Sequence, residues 1–138
     1  MTKYLLTVNY DGGVIHEPMD QWEPHEVKAH MDYYRALLKE LRDSGELVDD
    51  NALTGPEQAL VVTSDGQTAP VITDGPFLEF KELLAGYQLV DVETEERALE
   101  IAARMSCVPG PGGVPLQQPV GVRRVMSACD FHVLTPEP

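Results

Sequence analysis

Apolar positions recur along the first forty residues with two different periods. From Lys3 to Tyr10, Tyr4, Leu6 and Val8 alternate with Leu5, Thr7 and Asn9, the two-residue period of a strand with one apolar face. Asp11-Gly12-Gly13 ends that run. Further on the period lengthens. Val27, Met31, Tyr34, Leu38 and Leu41 follow at steps of four, three, four and three, which draws one stripe along a helix, and Leu37 widens it. Pro24 suits the first helical position, where its missing amide hydrogen does no harm. Glu23 and Glu26 put negative charge at the end where free amides gather. Ser44-Gly45 stops the helix, with glycine able to take the left-handed cap. The pattern predicts a helix over 24–44.

Short β-prone runs come next. Glu46–Leu53 reads as a strand, and 59–64 and 67–73 flank Asp65-Gly66, a dipeptide typical of a hairpin turn. Residues 85–92 alternate again, with Tyr87, Leu89 and Asp91 on one face and Gln88, Val90 and Val92 on the other. Thr94 is a good N-cap with Glu95 and Glu96 behind it. Ala98, Ile101, Ala102 and Met105 then form the buried stripe of a second helix over 95–106. Residues 108–115, Val-Pro-Gly-Pro-Gly-Gly-Val-Pro, fit neither helix nor strand. Residues 120–126 read as a last strand, and 127–138 as a tail carrying two prolines.

Helices separated by runs of strands predict an α+β domain with an antiparallel sheet and two helices on one face, the ferredoxin-like plan. The domain would occupy 1–126, with a C-terminal tail at 127–138. The other sheet face needs a cover. Apolar residues on both sides of 85–92 make a second copy of the chain the expected cover, so a homodimer is predicted.

Composition narrows the partners. The 138 residues hold 23 acidic and 10 basic side chains, a formal net charge of −13. That charge opposes binding to nucleic acid or to an anionic membrane surface. Two cysteines, Cys107 and Cys129, make neither a disulfide framework nor a complete zinc site. No apolar run approaches the about 20 residues of a membrane span, and the N-terminus lacks a signal-peptide pattern. A cytoplasmic setting is the expectation.

The least ordinary stretch is Thr73-Asp74-Gly75-Pro76-Phe77, followed by Glu79, Lys81-Glu82, Gly86-Tyr87 and Asp91-Val92. Physically it is a strand end and a tight turn. It also resembles the YCII-related family in its DGPF-domain branch. Tyr4-Leu5-Leu6, the helix end Leu41-Arg42-Asp43-Ser44-Gly45, and Ala98-Leu99 to Ala103 fall in the matching order, so the likeness runs from Lys3 to Met126. The resemblance implies a ferredoxin-like, dimeric α+β barrel without a cofactor. In the YCII branch it implies an active-site pair of a helix His and an Asp after the hairpin, here His30 and Asp74. Members of the DGPF branch often lack that His. The chain departs from the family in its last strand and in a longer Pro/Gly-rich insert before it.

His30 with Asp74 is the sharpest chemical candidate, since a carboxylate can fix the tautomer of a histidine acting as a base near neutral pH. His30 borders the apolar stripe and so faces the sheet. Tyr34, Gly75, Pro76 and Phe77 are the candidate ligand contacts. His25 and His30 are five residues apart, which sets their rings about 140° apart on a helix and excludes a helical zinc pair. No metal is expected. Lys81, Arg123 and Arg124 are candidates for holding an anionic ligand. Two classes of function stand. One is a dimeric small-molecule-binding or accessory protein; the resemblance suggests a regulatory setting linked to a sigma factor. The other is a cofactor-free lyase or isomerase, dehydrochlorinase-like, moving a proton through the His30–Asp74 pair.

Overall fold

The structure, a computed structural model, describes residues 1–9, 17–74 and 84–134, with residues 133 and 134 described through their backbone only. Its elements are β1 (Thr2–Asn9), α1 (Pro24–Asp43), β2 (Leu47–Ala52), β3 (Leu60–Thr63), β4 (Val71–Asp74), β5 (Leu84–Val92), α2 (Glu95–Ser106), β6 (Val120–Arg124) and α3 (Ala128–Leu134). Four strands form one antiparallel sheet in the order β2-β5-β1-β6, while β3 and β4 pair only with each other. This is an α+β chain with an antiparallel sheet and three helices, compatible with a ferredoxin-like fold.

Register decides which side chains meet. Tyr4 opposes Val90, Leu6 opposes Gln88, and Thr2 opposes Val92. These residues share the face under the helices, where Tyr4, Leu6, Val90 and Val92 pack with Leu37 and Leu41 of α1 and with Ala98, Ile101, Ala102 and Met105 of α2. α1 lies along β2, and α2 lies across β5 and β6. The opposite face carries Leu5, Thr7, Tyr87, Leu89 and Arg123 by the same alternation. There the Asn51 amide donates to the Tyr87 hydroxyl at 2.8 Å, and that hydroxyl donates to Asp49 at 3.1 Å.

The helix ends are capped by the residues that the pattern singles out. Glu23 and Glu26 form a reciprocal capping box at the start of α1. The Thr94 hydroxyl accepts from the Arg97 amide at the start of α2. Arg97 also clasps Glu46 with two hydrogen bonds, 2.8 and 2.9 Å, which ties α2 to the entry of β2 and holds the Glu46 carboxyl below its ordinary range.

Two local differences from the sequence reading have physical causes. The hairpin does not turn tightly on Asp65-Gly66. Asp65 Oδ1 instead accepts from the Gln67 and Thr68 amides, so the link between β3 and β4 runs over residues 64–70. The expected C-terminal tail contains α3, whose start is held by Asp130. That carboxylate accepts from the Ser127 amide at 2.7 Å and from both terminal nitrogens of Arg124 at 2.6 and 2.8 Å. The residues from Tyr10 to His16 and from Gly75 to Leu83 lie outside the described ones, including the expected turn at Gly75, Pro76 and Phe77. Among the described residues, no helix is long and apolar enough to cross a membrane.

Candidate functional site

The buried line of α1 is rotated from the stripe that its apolar residues suggest. Leu37 and Leu41 enter the core. His30, only 7% exposed, lines a cavity of about 800 Å³ together with Met31, Tyr34 and Leu38. Its other walls are β1 at Val8 and Asn9, β2 at Asp50, Asn51 and Ala52, β5 at Ala85, Gly86 and Gln88, and the segment 17–22 with Glu17, Met19 and Trp22. Gly86 sits on an interior strand, close against β2. A side chain there would come within 3.0 Å of the Asn51 carbonyl.

The last wall is the Pro/Gly-rich loop after α2. Its backbone is folded on itself: the Leu116 amide donates to the Val108 carbonyl at 3.0 Å and the Gly110 amide to the Val114 carbonyl at 2.8 Å. Val108 and Leu116 are buried and line the cavity. Gly112 and Gly113 take positive φ, +70° and +74°, which glycine adopts without strain. Two hydrogen bonds fasten the loop to α1. The Gly112 amide donates to the Glu26 carboxylate, which lowers the Glu26 pKa, and His30 bonds Pro109.

That second bond sets the state of His30. Nδ1 lies 3.0 Å from the Pro109 carbonyl. A carbonyl can only accept, so Nδ1 carries the hydrogen and Nε2 of the neutral ring keeps its lone pair. Nε2 has no partner among the described residues. The rings of Trp22 and Tyr34 stand edge-on to the imidazole, at 5.4 and 5.2 Å between centroids. Burial pushes the His30 pKa below its ordinary value, and the Pro109 bond only partly offsets this. The ring is therefore neutral at pH 7. Burial also raises the Tyr34 phenol, whose hydroxyl has no hydrogen bond among the described residues. Gln88 Oε1 is shielded from solvent and has no partner among the described residues.

The other candidates are dispersed. Asp74 ends β4 and is exposed; it makes no hydrogen bond to His30 and does not line the cavity. The tautomer-fixing role expected of a carboxylate is filled here by a main-chain carbonyl 79 residues away in sequence. Of the three candidate cations, Arg124 is engaged by Asp130, Arg123 lies on the helix-free face, and Lys81 is outside the described residues. Pattern reading missed Gln88 and Pro109. The available signal was slight: two apolar residues, Val108 and Leu116, bracket a loop that is otherwise prolines and glycines. Among the described residues, no group of three or more His, Cys, Asp and Glu is gathered to hold a metal.

An antiparallel α+β sheet with an apolar cavity between its first helix and a returning loop defines an architecture rather than a reaction. The chain belongs to the YCII-related family: the YCII-related domain is matched over residues 2–113, from the first strand into the Pro/Gly-rich loop. A search of curated proteins returned no match.

Proposed function

We propose that the chain binds a small, largely apolar molecule in the cavity beside His30. The observation that carries this reading is the cavity itself, about 800 Å³ in volume and walled mainly by aliphatic and aromatic side chains around one buried, neutral histidine. Volumes of this size suit drug-sized ligands, with a few polar groups setting orientation. Trp22 is the only tryptophan of the chain, so its emission reports on the cavity. Titration with benzyl alcohol is expected to change that emission and to raise the melting temperature, because a ligand of the native state stabilises it. Leu38→Trp, which fills the cavity, is expected to abolish the melting-temperature rise. No response from the unmodified protein would sink the reading.

A second reading, a cofactor-free lyase or isomerase, is favoured by one feature: the unpartnered Nε2 of His30. A neutral imidazole beside bound ligand can take a proton as a general base. Asp74 enters this reading only as an acid near the hairpin exit, since Pro109 already orients the ring. His30→Gln that keeps binding but loses turnover would support it. The DGPF motif at Asp74-Gly75-Pro76-Phe77 is the ground for placing the chain in that branch. The proposal also includes a homodimer covering the helix-free face. Its support is the apolar pair Leu5 and Leu89 there.

A further inference from the structure

Ligand charge is the next question, and the cavity wall bears on it. Resting on the binding reading above, we infer that the cavity selects uncharged or cationic ligands that donate a hydrogen bond, and rejects carboxylates and other anions.

Three observations converge. First, no lysine or arginine is among the described residues of the wall, while two carboxylates, Glu17 and Asp50, are. Asp50 is partly compensated by Arg42 at 3.3 Å, but Glu17 makes no ion pair among the described residues. Second, the buried polar atoms lack positive charge. His30 Nε2 is a lone-pair acceptor because Pro109 holds the other nitrogen as the donor. A ligand that donates to Nε2 satisfies an acceptor that the described residues leave open. The Tyr34 hydroxyl offers a neutral donor, which orients a ligand without paying the desolvation of an anion. Third, the whole chain carries −13, a field that repels anions on approach and draws cations in.

Two of the sequence candidates for anion binding lie elsewhere. Arg124 is satisfied by Asp130, and Arg123 is on the far face of the sheet.

The test uses three probes of one size: benzyl alcohol, benzylamine and benzoate, titrated against Trp22 emission near about pH 8, where a histidine of lowered pKa is neutral. Benzyl alcohol and benzylamine are expected to bind, with benzoate weaker than benzylamine by roughly tenfold or more, the scale of a single unfavourable charge contact at partial exposure. The double variant Glu17→Gln, Asp50→Asn is expected to narrow that gap by weakening benzylamine. His30→Phe, which removes the Nε2 acceptor, is expected to weaken benzyl alcohol. No response to any of the three probes overturns the cavity reading, and this inference with it. Binding of benzyl alcohol with benzoate as tight as benzylamine overturns the charge selectivity alone. A gap that the double variant leaves intact overturns the assignment to Glu17 and Asp50.

Discussion

The four-stranded sheet and the β3–β4 ribbon draw on the same β-branched and aliphatic residues and use them in opposite ways. In the sheet, Leu6, Val90 and Val92 are sealed under two helices. In the ribbon, Leu60, Val62, Val71 and Ile72 are 60–64% exposed, and Val62 faces Ile72 across the pair with water on both. Strand propensity therefore predicts that a segment pairs and says nothing about whether it is covered. A two-stranded ribbon alone is marginal in water and holds its shape through its turn and its neighbours. Here the turn supplies part of that: Asp65 binds two amides and the Thr68 hydroxyl, and those bonds hold the Asp65 carboxyl below its ordinary range.

The contrast can be broken at its strong end first. Ile101→Ala removes a fully buried side chain between α2 and the sheet. It is expected to cost about 2–5 kcal/mol, read as a fall in denaturation midpoint at unchanged slope. A loss below about 1 kcal/mol would mean that the core is far looser than its burial implies.

His30 is the intermediate case, buried like the core but polar. Its folded pKa lies below the unfolded value, so the unfolded chain binds a proton that the fold refuses. Its contribution is complete above about pH 6.5 and is lost as the pH falls through the folded value. The stability difference between the unmodified protein and His30→Gln should therefore shrink on acidification through that window. A difference independent of pH would remove the buried neutral histidine from the account.

The smallest effect belongs to the ribbon. Val62→Ser with Ile72→Ser is expected to change stability by less than about 0.5 kcal/mol each in dilute solution, as exposed substitutions do. A cost that grows with protein concentration would show the ribbon covered by another copy, and the two regions would then obey one rule.

How far the sequence discloses this molecule depends on whether the deciding contact is local. The stripe of α2, from Ala98 to Met105, and its Thr94 cap are local, and the helix lies at Glu95–Ser106 as its pattern predicts. The alternation of 85–92 likewise sorts Gln88 from Tyr87. In α1, periodicity marks which residues are apolar but not what they face, so it cannot separate Leu37 in the core from Met31 and Leu38 on the cavity. α3 had a readable signal, Ser127 three residues before Asp130, obscured by the prolines beyond it. The partner of His30 had none. A carbonyl is present at every position, and only the path of the loop brings the one at Pro109 to the ring.

That bond has an evolutionary side. A carboxylate partner is lost by a single codon change, whereas a main-chain acceptor outlasts any replacement at its own position that keeps the path. What drift can alter is the loop's length and its glycines at 112 and 113. Relatives with shorter loops would have to hold their histidine by other means, or do without it, while inheriting the same sheet.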